Sequence, residues 1–186
     1  MPKKMYKICE IPNYLKEFAH RITLERLEVT KDQYTTNYNK RVGIKESVLL
    51  GSVDKDYYTE YIGILGELLV RKYYDSEPSY SGYKVSAFIK SSENVSRDTD
   101  LIAYKNGQPI RVSIKSCEGG LKANKKSVDN DNADVFVFIL FISQTEYAVF
   151  HFQKEYVQKW EVIIGYSPYY FKCKPKSLKL KRNENI

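Results

Sequence analysis

The sequence predicts an α/β domain in which a central mixed β-sheet is flanked by helices. Three observations carry that expectation. Apolar residues of the first third recur at helical spacing, those from Tyr83 onward switch to strand-like runs, and a short helical stretch closes the pattern. A chain of 186 residues is long enough for one well-buried domain and leaves little for a second. Residues 1–186 are therefore read as a single domain, with a helical N-terminal part over 1–53, a core over 54–160 and a basic C-terminal segment over 161–186.

The elements follow in order. Ile11 to Val29 carries Leu15, Phe18, Ile22, Leu24 and Leu27 near the 3.6-residue period of a helix. The polar stretch from Thr30 to Arg41 reads as a loop. A second helix starts at the acidic pair Asp54 and Asp56, buries a stripe of Tyr58, Ile62, Leu65, Leu69 and Tyr73, and stops near Asp75-Ser76-Glu77-Pro78. Tyr83–Ile89 reads as a strand. Asp100–Tyr104 and Ile110–Lys115 read as two more, joined through Asn106-Gly107, the strongest short-range signal for a type I′ hairpin. Ala133–Phe141 is a continuous apolar run of strand length, as a central strand covered on both faces requires. Tyr147–Phe152 follows as a strand, and Gln153 to Trp160 as a short closing helix.

Composition narrows the function classes. Thirty Lys and Arg against 23 Asp and Glu leave a net charge of +7, the sign expected of a protein that meets polyphosphate. The cations cluster. Lys172, Lys174, Lys176, Lys179, Lys181 and Arg182 lie in an acid-free stretch, while Lys122, Lys125 and Lys126 follow Gly119-Gly120. Both groups are candidate DNA-backbone contacts. No apolar run approaches the ~18 residues of a membrane span, and no secretory signal is legible at the N-terminus. Cys9, Cys117 and Cys173 are odd in number and far apart, which points to reduced thiols in the cytoplasm and away from a disulfide framework or a cysteine-rich zinc site. His20 and His151, the only two histidines, are too few for an imidazole-rich metal centre. They read as packed or surface residues, and Trp160 as core. The stretch Gly119–Ser127 fails as a phosphate-binding loop because Asn124 stands at the second glycine position and Lys126 at the Ser/Thr position, so no nucleotide cofactor is expected.

The chemistry concentrates on the hairpin. With Asn106 and Gly107 as its two loop residues, Lys105 faces Gln108 and Asp100 lies opposite Ser113. Lys115 is then the diagonal neighbour on the same face, since side chains alternate with period 2. Ile110, Val112 and Ile114 form the opposite, apolar face. An acid, a hydroxyl and a lysine thus converge, provided that Pro109 does not slip the register. A carboxylate can bind Mg²⁺ through oxygen, and a neighbouring lysine can orient a water or neutralise charge building on a phosphate. On the second helix, Glu60 and Glu67 share a face, with Gly63 between them and Gly66 beside Glu67. Helical glycines at that spacing mark close packing or approach by another group.

The series Gly66-Glu67-Leu68-Leu69, Thr99-Asp100-Leu101-Ile102, Val112-Ser113-Ile114-Lys115-Ser116 and Ala133-Asp134-Val135-Phe136-Val137-Phe138 resembles the PD-(D/E)xK nuclease superfamily, the fold of many restriction endonucleases, over roughly Glu60 to Trp160. The resemblance implies a restriction endonuclease-like core and Mg²⁺-dependent hydrolysis of a DNA phosphodiester by in-line attack of water, with Mn²⁺ able to substitute. It implies Asp100 as principal metal ligand, the main-chain carbonyl of Ile114 as a further ligand, Glu67 as a helix-borne acid supporting the metal through water, and Lys115 as the residue that orients the attacking water. Two positions depart from the pattern: Thr99 replaces a proline, and Ser113 replaces the usual Asp or Glu and so removes a ligand. Restriction enzymes with Ser-x-Lys resemble this arrangement and take an acid from the segment after the lysine. Here Glu118, Asp129 and Asp131 are the candidates. In length and layout the chain also resembles the small cleavage subunit of a heterodimeric type IIS restriction endonuclease, which implies double-stranded DNA and a larger recognition and nicking subunit as partners. The competing class is a non-catalytic nucleic-acid-binding or assembly module on a degenerate nuclease fold.

Overall fold

The structure, a computed structural model, describes residues 6–33, 42–78, 80–85, 100–160, 162–163 and 170–172. It begins with strand β1 (Tyr6–Glu10), helix α1 (Asn13–Gln33), the strand pair β2 (Ile44–Ser47) and β3 (Gly51–Asp54), and helix α2 (Lys55–Ser76). The meander β4 (Tyr80–Val85), β5 (Leu101–Lys105) and β6 (Gln108–Glu118) follows. The chain then leaves the sheet through β7 (Lys122–Asn124) and α3 (Lys125–Asn130), and returns as β8 (Val135–Phe141) and β9 (Glu146–Gln153). It closes with α4 (Lys154–Val157), β10 (Val162–Ile163) and β11 (Tyr170–Lys172).

Six strands form the main sheet in the order β1-β9-β8-β6-β5-β4. Among the described residues only β6 and β8 run parallel, so the sheet is mixed as the sequence predicts. Strand β8 sits inside it for the expected reason. Its alternating side chains bury Val137, Ile139 and Phe141 on one face and Phe136 and Phe138 on the other, each at most 2% exposed. On the first face α2 packs Ile64, Leu65, Leu69 and Val70, with α1 contributing Leu15 and Ala19. On the second, Leu121, Val128, Phe150, Phe152 and Val157 complete a smaller core, against which Trp160 packs at 5.1 Å from Phe138 and 5.3 Å from Phe152. Each fully buried side chain of this size contributes roughly 1.5–3 kcal/mol. His151 is packed between Tyr73 and Tyr74, and His20 lies at the surface on the Tyr57 hydroxyl.

Helix α2 begins where its acids place it. The Asp54 carboxylate accepts from the N–H groups of Asp56 and Tyr57 at 2.9 and 3.0 Å, capping two otherwise unpaired donors. Of its two glycines, Gly66 marks a close approach: a Cβ there would lie 1.9 Å from Ser116 Oγ and 3.2 Å from Ser116 Cβ on β6. Nothing comes within 4 Å of a Cβ at Gly63, so the expectation of close packing fails there.

Several expectations need correction. The described residues of the part over 1–53 are not helical throughout: besides α1, β1 joins the main sheet beside β9 and β2 pairs with β3 in a separate hairpin. Helix α1 runs on to Gln33, past the expected loop start, while 34–41 lie outside the described residues. The strand expected over Tyr83–Ile89 begins at Tyr80 and is described only to Val85. Lys122 sits on β7, and Lys125 and Lys126 sit on α3. No helix among the described residues is long and apolar enough to cross a membrane.

Candidate active site

The hairpin forms in the expected register. Asn106 and Gly107 take φ values of 52° and 78°, the left-handed pair a type I′ turn needs, and Lys105 faces Gln108 while Leu101 faces Val112. Pro109 does not slip the pairing, for a local reason. Arg111 and Ile114 show the alternation: Arg111 directs its N–H and carbonyl toward Asp134 before β8, and Ile114 directs its N–H toward the β5 side. Pro109, in step with Arg111, would have pointed its missing N–H away from β5, where β8 has not begun.

Among the described residues β6 outruns its neighbour: the β5 pairing covers Gln108–Val112, whereas β6 continues to Glu118 beside β8. In the notch so formed, Asp100 Oδ2 accepts from the Ile114 N–H at 2.6 Å and from Ser113 Oγ at 3.3 Å. A strand residue's carbonyl points the same way as its N–H, so the Ile114 carbonyl also faces this notch. Ser113 is buried, 1% exposed, and serves Asp100 as a hydrogen-bond donor. Lys115 lies above the Phe136 ring at 5.7 Å, with Nζ 4.0 Å from Asp131 Oδ2. Its charge also draws the Asp100 pKa downward, as expected for a lysine on the same side of the sheet.

Two carboxyls are held above their ordinary range. The Asp100 pKa is raised by burial first and by the negative charge of Asp131, against the lowering effects of the Ile114 N–H, Lys115 and Ser113. Glu67, one residue past the glycine that seats α2 on β6, is raised to about 7. Burial is the largest cause and the charge of Asp100 the next, with Arg71 and Arg26 opposing and Glu60 adding a little. Arg71 Nη2 stands 4.0 Å from Glu67 Oε2. Glu67, Asp100 and Asp131 therefore form an electrostatic chain: Glu67 feels the charge of Asp100, and Asp100 that of Asp131.

That chain suits a hard divalent cation. Its donors are all oxygen, and crowded carboxylates in a half-buried notch are relieved by positive charge. Among the described residues no three His, Cys, Asp or Glu side chains are arranged to hold an ion by themselves. Mg²⁺ commonly takes one or two carboxylates and fills its other positions with water and phosphate oxygens. Asp100, Asp131 and the Ile114 carbonyl fit that demand, with Glu67 behind them.

The structure separates the three candidate replacements for the acid missing at position 113. Glu118 is engaged elsewhere, accepting from Ser47 Oγ at 2.7 Å, the Leu49 N–H at 3.1 Å and the Tyr58 hydroxyl at 3.2 Å, where it ties the β2–β3 turn to β6 and α2. Asp129 is an exposed acid bound by Lys125 and Gln158. Asp131 alone of the three meets Lys115. Spacing alone carries no signal for it: Asp131 is singled out because it lies just before β8, which runs parallel to β6 and so starts at the same end of the sheet. Arg71, the partner of Glu67 four residues on, was not anticipated.

The expected DNA contacts divide in the same way. Lys122 and Lys126 are exposed, and Lys125 pairs with Asp129. Strand β11 pairs with β7 so that Lys172 faces Lys122, which joins the two basic segments into one sheet. Lys174 and Lys176 lie outside the described residues. No family model, no curated protein and no solved structure matches the chain.

Proposed function

We propose that the chain is a Mg²⁺-dependent endodeoxyribonuclease, with Mn²⁺ able to substitute, that hydrolyses one phosphodiester bond of double-stranded DNA. Its layout suits the cleavage subunit of a type IIS restriction endonuclease that works beside a larger site-recognising partner. The observation that carries the reading is the notch beyond the end of β5, where Asp100, Asp131, the Ile114 carbonyl and Lys115 come together with Glu67 behind them. Bound there, Mg²⁺ would neutralise the scissile phosphate and favour the ionisation of an attacking water. The residues supply the rest. Asp100 and Asp131 would hold the cation, with Glu67 as the supporting acid behind them. Lys115 directs its ammonium at the water and the phosphate oxygen on which charge builds. Asp131 keeps that ammonium on the notch side while Phe136 supports it from below. Hydrolysis leaves a 5′-phosphate and a 3′-hydroxyl.

The test is conversion of supercoiled plasmid to nicked circles or linear DNA in Mg²⁺, with and without the partner subunit, by wild type, Asp100→Asn and Lys115→Ala. Wild-type cutting that disappears in EDTA and in both variants supports the reading, and equal cutting by all three ends it. One observation favours a second reading, a non-catalytic nucleic-acid-binding module: Ser113 stands where the resemblance expects an acid and lies buried against Asp100. Wild type that binds DNA but never cuts would favour that module.

Binding should be electrostatic under either reading. Lys122 and Lys126 are exposed, where their ammonium groups can meet a phosphate backbone. The logarithm of the affinity is expected to fall linearly with the logarithm of salt concentration, and Lys122→Ala should reduce that slope by about one. Binding that is independent of salt in fluorescence anisotropy would contradict the assignment of these lysines.

A further inference from the structure

We propose that Lys154 is the positioning residue that sets Asp131 against Lys115, an inference that rests on the nuclease reading and extends it to a residue outside the notch. Asp131 belongs to a short connection, residues 131–134, between the end of α3 and the start of β8. Among the described residues no strand ladder pairs the main chain of Asp131, whereas Asp134 already bonds the Arg111 carbonyl. The ammonium of Lys154 donates to the Asp131 carbonyl at 2.5 Å and reaches the Asp129 carbonyl at 3.4 Å. The latter is one of the last carbonyls of α3, which have no partner within the helix and which a cation satisfies. The main-chain N–H of Lys154 bonds the Asp134 carbonyl at 3.2 Å, and Gln158 reaches Asp129 Oδ1 at 3.4 Å. The start of α4 therefore grips the connection at its beginning and its end.

The consequence for the carboxylate is direct. With the Asp131 main chain pinned, its Oδ1 accepts from the Ala133 N–H at 2.9 Å, which leaves Oδ2 as the atom facing Lys115 Nζ. From β6, Arg111 holds the far end of the connection through Asp134, with its N–H and both ends of its guanidinium at 2.8–3.2 Å. A cleft of about 420 Å³ bordered by Arg111, Asp131, Asp134, Lys154 and Glu155 lies alongside. Among the described residues no other group ties the Asp131 carbonyl, so that without the ammonium Oδ2 is free to leave the notch.

The experiment uses the full chain, with Mn²⁺ as the probe. Mn²⁺ binding is followed by electron paramagnetic resonance without DNA, cleavage kinetics are measured in Mg²⁺, and urea unfolding confirms that each variant is folded at the assay temperature. Lys154→Met keeps the aliphatic stem and removes the ammonium. It is expected to weaken Mn²⁺ binding by about tenfold or more and to lower kcat by about 10- to 100-fold, the usual cost of losing a residue that orients a ligand. KM for DNA should stay within about twofold, and Lys154→Arg, which restores the charge, should recover most of both losses. Unchanged Mn²⁺ binding with a raised KM and a salt slope reduced by about one would overturn the proposal, because Lys154 would then be a phosphate contact. A wild type that binds Mn²⁺ without cutting DNA defeats the nuclease reading alone, since the Mn²⁺ comparison still decides the role of Lys154. A wild type that binds no Mn²⁺ overturns both.

Discussion

Replacing Asp131 with asparagine should lower DNA cleavage by at least about 100-fold, while Asp129→Asn and Glu118→Gln leave it within about threefold. The magnitude is that of removing one charged group that acts on the transition state. The contrast among the three acids follows from what each one touches. At Asp129 the carboxylate is exposed and bound to Lys125 on its own helix, and such surface pairs contribute ~0–1 kcal/mol to stability. Glu118 holds a turn through Ser47, Leu49 and Tyr58, and glutamine keeps one oxygen for those donors. Its loss should appear in urea unfolding before it appears in cutting. Asp131 faces Lys115 and raises the Asp100 pKa, so its charge belongs to the notch. Asparagine keeps the shape and an oxygen for the Ala133 N–H, so the fold should survive and the loss should fall on metal affinity and kcat. Single-turnover cleavage across a Mg²⁺ titration measures both. A Glu118 variant that is folded yet inactive, beside an active Asp131 variant, would move the missing acid to the other end of β6.

The parts legible in the sequence were those fixed by local chemistry. Asn106-Gly107 set the register of β5 and β6 because few residues tolerate two consecutive left-handed conformations, and that register placed Asp100 beside Ser113. Asp54 announced the start of α2, and the unbroken apolar run at 133–141 announced a strand covered on both faces. What stayed hidden depended on long-range pairing. Strand β1 alternates poorly, and its place beside β9 is specified by a partner some 140 residues away, as the Tyr6–Phe150 pairing shows. The join between Lys122 and Lys172 depends equally on β11. The choice among Glu118, Asp129 and Asp131 could not be read from spacing, because it turns on where a connection lies relative to a strand parallel to β6. Gly66 and Gly63 look alike in sequence, and only the crossing of α2 over Ser116 tells them apart.

Glu67→Gln should make the metal-free protein more stable at pH 8 and leave it little changed near pH 4.5. In the folded chain burial and Asp100 raise the Glu67 carboxyl to about 7, whereas in the unfolded chain it titrates near 4.5. Between those values the folded state holds a proton that the unfolded state has released. Stability therefore falls as pH rises through the window, and the full penalty persists above it. A displacement of that size corresponds to on the order of 3 kcal/mol, taken as an upper bound, since the Glu67 side chain retains a quarter of its exposure and solvent screens part of the effect. Asp100, also raised, adds the same sign. His151, lowered to about 4 by burial, works in the opposite direction, because the unfolded chain protonates it first as pH falls below 6.5. Both groups are present in wild type and variant, so the difference between the two unfolding curves isolates Glu67. Glutamine gives up the 4.0 Å contact to Arg71 and the weaker attraction of Arg26, and it removes the charge that repels Asp100. Adding Mg²⁺ at pH 8 should then raise the wild-type urea midpoint more than the variant's, since a bound cation relieves the same repulsion. Cleavage should fall in the variant even as stability rises. A Glu67→Gln protein less stable than wild type at pH 8 would mean that Arg71 and Arg26 outweigh the notch, and Glu67 would then be an ordinary helix ion-pair partner.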